Sequence, residues 1–195
     1  MFEAIKYNLA HLADFTGRED RPTFWWYVLF LLVLDILLGL AISGPMMAET
    51  FSAALNAAQS GASQEAIQAQ VMQRMSEQAM SLVWLSAAIK ALIVALAVAA
   101  FVRRLHDSGN SGWWAAIAVG AQVVAFVLTY NMLGTVTAAM TSASSPGDLT
   151  AMTQQQMHMP WIGLIGWVAP VVVLVFGVMK SSAGANRYGE APRST

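Results

Sequence analysis

The sequence predicts an all-α, polytopic membrane protein: a four-helix transmembrane bundle with an N-terminal interfacial helix and helical outer loops. Three observations predict it. Hydrophobic residues make up 57% of the 195 and charged residues 11%, whereas a soluble domain carries about 25% charged residues. Four apolar runs approach the roughly 20 residues that a helix needs to cross a bilayer. Lys and Arg gather on one side of those runs, which sets orientation.

The elements follow in order. Residues 1–15 read as a short amphipathic helix, with Phe2, Ile5, Leu9 and Leu12 at helical spacing among Glu3, Lys6, Asn8, His11 and Asp14. Such a helix lies in the interface plane or packs on the protein's own cytosolic face. The start does not read as a signal peptide, because no apolar core or small-residue cleavage site follows. Span one is 24–42, with Asp35 as its single charge. The first outer loop, 43–81, spaces Met47, Phe51 and Leu55 by four, then Ile67, Val71, Met75 and Ala79, with Ser60 and Gly61 between. It reads as a helical hairpin whose second arm continues into span two, 82–102, where Lys90 is the single charge. Span three is 113–133 and span four 161–179, both uncharged. The second outer loop, 134–160, contains a turn signal at 144–148, and Asp148 is placed to cap a short helix after it. The two outer loops either pack together as a cap or stay mobile. Helices are required throughout, because lipid cannot satisfy backbone polar groups. The whole, 1–195, reads as one membrane domain.

The cytosolic side is assigned to 1–23, 103–112 and 180–195. It holds Lys6, Arg18, Arg21, Arg103, Arg104, Lys180, Arg187 and Arg193, against Arg74 alone on the other side. Eight against one places both termini in the cytosol. Trp25, Trp26, Trp113, Trp114 and Trp161 stand at span ends, as an aromatic belt requires.

Composition also excludes. A net charge of −1 gives no field for nucleic acid. The absence of cysteine removes disulfides, thiolate metal sites and cysteine nucleophiles together. His106-Asp107 offers two ligands at most, short of a metal site, so no metal and no cofactor is expected. The Gly-rich loop there lacks the lysine and strand of a phosphate-binding loop. Gly109 and Gly112 suit a tight turn, and Ser111 is placed to cap span three.

Three segments carry unusual residue choices: Phe15-Thr-Gly17-Arg18-Glu-Asp-Arg21-Pro-Thr-Phe24-Trp25, Arg103-Arg104-Leu105-His106-Asp107-Ser-Gly109-Asn-Ser111-Gly112-Trp113-Trp114, and Gly184-Ala-Asn186-Arg187-Tyr188-Gly189-Glu-Ala-Pro192. Together, in this order and across most of the chain, they resemble the domain of unknown function 805 family, the YhaH-like bacterial inner-membrane proteins. The resemblance implies a bacterial inner-membrane location and no particular activity. The long outer loops are where this chain departs from shorter members.

All three segments fall on the cytosolic side, which makes that face the first candidate for a site. Arg18, Arg21, Arg103, Arg104 and Arg187 concentrate positive charge at headgroup level, and their planar forks suit phosphate. They read as binding an anionic phospholipid or phosphorylated ligand, or as enforcing topology and snorkelling to headgroups. Asp107 is expected to pair with an arginine or cap the turn, with His106 orienting it. Asn186-Arg187-Tyr188 is expected to dock back on the other two segments, or to stay free for a protein partner.

Within the membrane, Asp35 and Lys90 lie about 16 and 18 Å from the cytosolic ends of their spans at 1.5 Å per residue. Matched depth predicts an ion pair facing the bundle interior, either as a register pin or as part of an ion or substrate path. Gln122 and Pro170, about 13 Å deep, extend the polar layer, because Pro170 leaves a carbonyl unpaired. Ala87, Ala91, Ala95 and Ala99 form a small-residue stripe that makes span two the central helix, within one chain or against another copy.

Three functions follow. One is an interaction or regulatory component whose cytosolic face binds anionic lipid, phosphorylated ligand or a protein partner. A second is a small oligomeric transporter or channel using the Asp35–Lys90 layer. The third, a membrane enzyme on a lipid-linked substrate with His106 and Asp107 as acid–base groups, has no paired carboxylates, Ser–His arrangement or metal spacing behind it.

Overall fold

The computed structural model of the chain describes residues 1–142 and 160–190. Among them all regular structure is helical, apart from a bridge between Asn186 and Gly189. The helices are α1 (Phe2–Ala10), α2 (Arg21–Gln59), α3 (Gln64–Asp107), α4 (Trp113–Ser142) and α5 (Pro160–Val178). The turn at 144–148, Asp148, Pro192 and Arg193 lie outside the described residues.

Local chemistry sets the helix starts. Asp20 is the N-cap of α2, and Pro22 sits in its first turn, where a missing N–H costs nothing. Ser63 caps α3 by accepting from the Ala66 N–H at 3.3 Å. Ser111 Oγ accepts from the Trp113 N–H at 3.4 Å at the start of α4. The turn before it needs Gly109 in the left-handed region, φ 77°.

The membrane-spanning runs extend into longer rods. α2 has 39 residues and α3 has 44, about 58 and 66 Å at 1.5 Å per residue. Both exceed the roughly 30 Å hydrocarbon core. Span one and the first arm of the outer hairpin are therefore one helix, with Pro45 inside it, and span two continues the second arm. Met47, Phe51 and Leu55, on the first arm, are all exposed.

Three helices are long and apolar enough to cross a membrane: α2, the Met80–Asp107 part of α3, and Trp113–Gly134 of α4. The fourth expected span coincides with α5, whose described apolar part, Leu164–Val178, is shorter. Of the most apolar stretches of α2, α3 and α4, 11%, 22% and 11% is buried. Most of that apolar surface faces outward, an arrangement that suits lipid and not water.

The core is small and lies at one end of the bundle. Phe24, Tyr27 and Leu31 of α2 meet Ala100, Phe101, Val102 and Leu105 of α3, Ala115 and Ala118 of α4, and Ala169 and Phe176 of α5. Helix α3 touches α2, α4 and α5, so it is central, but not through its alanine stripe. Only Ala99 of that stripe is buried, and Ala91 and Ala95 are exposed. The tight approach lies instead at Gly177 of α5, where an added Cβ would stand 2.8 Å from Trp25 and 3.0 Å from Phe24.

Gly177→Val is therefore expected to destabilise the fold by about 1–3 kcal/mol through overpacking. Gly120→Ala, where a Cβ meets nothing within 4 Å, is expected to be near neutral. Thermal unfolding of detergent-solubilised protein, followed by tryptophan fluorescence, separates the two; equal midpoints would refute the packing.

Candidate functional site

The three segments with unusual residue choices converge on two adjacent arginines at the end of α3. Arg103 and Arg104 are consecutive, about 100° apart around a helix, so they serve different neighbours.

Arg103 holds the N-terminal segment. Its Nε donates to Glu19 Oε2 at 3.1 Å, and Nη2 forms an ion pair with the same oxygen at 3.1 Å. Nη2 also donates to Asn8 Oδ1 at 2.5 Å, and Nη1 to the carbonyls of His11 (2.9 Å) and Asp14 (2.5 Å). All three nitrogens of the guanidinium thus have acceptors, and Tyr7 lies under its carbon at 5.5 Å. Asn8 closes the ring by donating to Glu19 Oε1 at 2.7 Å. Asn8 and Ala4 are the buried face of α1, so this contact sets the helix against the bundle. Burial pushes the Glu19 carboxyl above its ordinary proton affinity, while the Asn8 hydrogen bond and Arg103 act against that rise. Hydrogen bonds from Thr16 hold the Asp14 carboxyl below its ordinary value.

Arg104 holds α5. Its Nε donates to the Gly177 carbonyl at 3.3 Å, Nη2 to the Met179 carbonyl and Nη1 to Asp107. Trp25 Nε1 reaches the same Gly177 carbonyl at 3.2 Å, and Arg21 Nε the Met179 carbonyl at 2.9 Å. Carbonyls at a helix C-terminus lack intrahelical partners, and cations there also meet the negative end of the dipole. Arg104, Arg21 and Trp25 satisfy them.

Asp107 joins the two sides. Oδ1 accepts from Arg18 Nε at 3.1 Å and lies 3.0 Å from its Nη2 in an ion pair; Oδ2 accepts from Arg104 and from Ser181 Oγ at 2.5 Å. Its side chain and those of both arginines are at most 1% exposed. Arg18 then reaches the tail, donating to the carbonyls of Gly184 (2.6 Å) and Ser182 (2.9 Å). Gly184 turns there with φ 69°.

His106 does not orient Asp107. Its ring stacks on Tyr188, with centroids 3.7 Å apart and planes at 7°, and its Nδ1 lies 3.3 Å from the Gly17 carbonyl. Its backbone carbonyl accepts from Asn186 Nδ2 at 2.9 Å. The tail segment therefore docks, with Asn186 and Tyr188 inside the assembly and Arg187 exposed over the Tyr188 ring at 4.7 Å. His106 and Asp107, engaged with different partners, form no acid–base pair. Among the described residues no group of three His, Cys, Asp or Glu is placed to hold a metal.

Sequence reasoning named Arg18, Arg103, Arg104, His106, Asp107, Asn186 and Tyr188, and these come together. It placed the arginines at headgroups. Arg18, Arg103 and Arg104 are instead buried and engaged by internal partners. It missed Glu19, Asn8, Ser181 and Ser182. The one available signal was that Glu19 stands between Arg18 and Arg21, an acid inside an arginine-rich stretch.

Away from this layer, Lys90 Nζ donates to Asp35 Oδ2 at 2.5 Å. The two meet, but not toward the bundle interior: the Lys90 side chain is 63% exposed and that of Asp35 22%. Rotation around α2 and α3, which depth does not determine, places the pair on the outer surface, beside a groove of about 510 Å³ between the helices. Ionisable groups at the middle of a span cost at least about 2.5–3.5 kcal/mol. Nearer α5, Gln122 Nε2 lies 3.5 Å from the Gly166 carbonyl, which is the carbonyl that Pro170, four residues on, leaves without an N–H.

A protein-family model described as "Protein of unknown function (DUF805)" matches residues 12–190. No curated protein and no solved structure matches the chain.

Asp107→Ala leaves two buried guanidinium groups without their counter-charge, and removing one partner of such a pair costs about 3–5 kcal/mol. It is expected to lower thermal stability and to speed tryptic cleavage at Arg187; Arg187→Ala, on an exposed residue, is expected to stay within about 0.5 kcal/mol of wild type. Unchanged proteolysis in Asp107→Ala would contradict the clamp. In one chain, Asp35→Lys combined with Lys90→Asp is expected to restore the membrane yield lost in either single variant; failure to do so would contradict the pairing.

Proposed function

The chain belongs to the DUF805 family, and we propose for it a binding role rather than a catalytic one. It is a multi-pass protein of a bacterial inner membrane with four spans and both termini in the cytosol, acting as an interaction or regulatory component. Its cytosolic layer takes an anionic phospholipid headgroup, or the same phosphate chemistry on a phosphorylated ligand.

One observation carries this reading: the cations of the layer divide into two sets. Arg18, Arg103 and Arg104 are buried and paired with carboxylates inside the protein. Arg21 uses Nε on the Met179 carbonyl, while its terminal nitrogens have no protein partner among the described residues. Lys180, one residue past that carbonyl, is exposed and also without one. The buried set fixes the backbone, and the free set stands where α2 begins and α5 ends, at the depth where lipid phosphates lie. A transport reading has less support, because the Asp35–Lys90 pair faces outward rather than into a conduit within the chain.

Native mass spectrometry of gently extracted protein tests the proposal. Wild type is expected to retain an anionic phospholipid. Two juxtamembrane cations at about 1 kcal/mol each make retention roughly 30-fold weaker in the Arg21→Gln, Lys180→Gln double variant. Equal retention by that variant, or no anionic lipid on wild type, overturns it. Retention of a soluble phosphorylated compound in place of lipid would identify the other source of phosphate.

A further inference from the structure

The Asp35–Lys90 pair has spare hydrogen-bonding capacity that hydrocarbon cannot use. Lys90 Nζ carries three donors, and its recorded acceptor is Asp35 Oδ2. Asp35 Oδ1 accepts from no protein group among the described residues. The pair thus offers unused donors and an unused acceptor on one surface, at a depth where lipid supplies neither.

We propose that this surface is the contact between two copies of the chain, related by a two-fold axis. Lys90 of each copy donates to the Asp35 carboxylate of the other while keeping its own. Two points single out a second copy as the occupant. The patch is self-complementary in charge and in donor–acceptor count, which is the condition for an isologous interface. The groove beside it also admits a close helix approach, because Gly39, Ser43 and Ser86 line it among the aliphatic residues. Ser43 and Ser86 donate to carbonyls of their own helices, so they add no unmet donor to the interface. This contact lies within the membrane, apart from the cytosolic headgroup site, and neither depends on the other.

The absence of cysteine in the chain makes the test clean. Ser86→Cys in native membranes, treated with a short bis-maleimide, is expected to give a covalent dimer, and Leu174→Cys, exposed on α5, is expected to give none. A monomer-only Ser86→Cys, or equal crosslinking at both positions, overturns the proposal. A second measurement separates contact between copies from pairing within one. In the Ser86→Cys background, Asp35→Lys alone and Lys90→Asp alone each set like charges face to face, which is expected to cut the dimer at least about tenfold. Co-expressed with different tags, the two variants are expected to crosslink to each other and co-purify. If the mixture dimerises no better than either variant alone, the contact is not between copies.

Discussion

The fold depends on two arginines side by side at the end of α3. Arg103 binds the segment before α2, and Arg104 binds the end of α5. Asp107, one turn on, ties Arg104 to Arg18 and through it to the tail. Three regions far apart in sequence are thus fastened to a single helical turn. The buried charges have counter-charges, and each guanidinium also donates to carbonyls, the condition under which buried ions are tolerated. Among the described residues no buried side-chain nitrogen or oxygen lacks a partner.

This polar layer matters because apolar packing is thin. Within lipid, hydrophobicity gives helices no reason to prefer each other over the surrounding chains. The packed cluster around Phe24, Tyr27, Phe101 and Phe176 occupies one end of the bundle, next to the arginines. Farther along, contacts are fewer and more local, such as Gln122 against the carbonyl that Pro170 leaves free. Order is concentrated at the arginine end, and α2 and α3 carry it away from there because each is a continuous rod.

Much of this was legible in the sequence, and the reason differs by feature. Apolar run length located the long helices, because the bilayer fixes that length. Spacing by four, broken at Ser60 and Gly61, located the outer hairpin. Depth matching brought Asp35 and Lys90 to the same level. What the sequence did not determine was rotation. Residue counting gives position along an axis, whereas the outward direction of the pair depends on how α2 and α3 turn against each other. The arginines illustrate a second gap. Their number was readable, but acceptors such as the Gly177 and Met179 carbonyls are backbone groups with no residue signature. Charge at the headgroup level therefore suggested lipid contact for residues that cap a helix instead.

The clamp has a consequence for the order in which the chain is made. Arg18 and Asp107 are synthesised well before Ser181, Ser182 and Gly184, which complete their hydrogen bonds. While the ribosome is still on the last helix, both side chains carry unfilled valences, and water must serve them. Closure waits for the final segment to emerge and fold back. A nascent chain stalled or cut before residue 181 would hold its earlier helices with this end open, so emergence of residues 181–184 is what seals the layer.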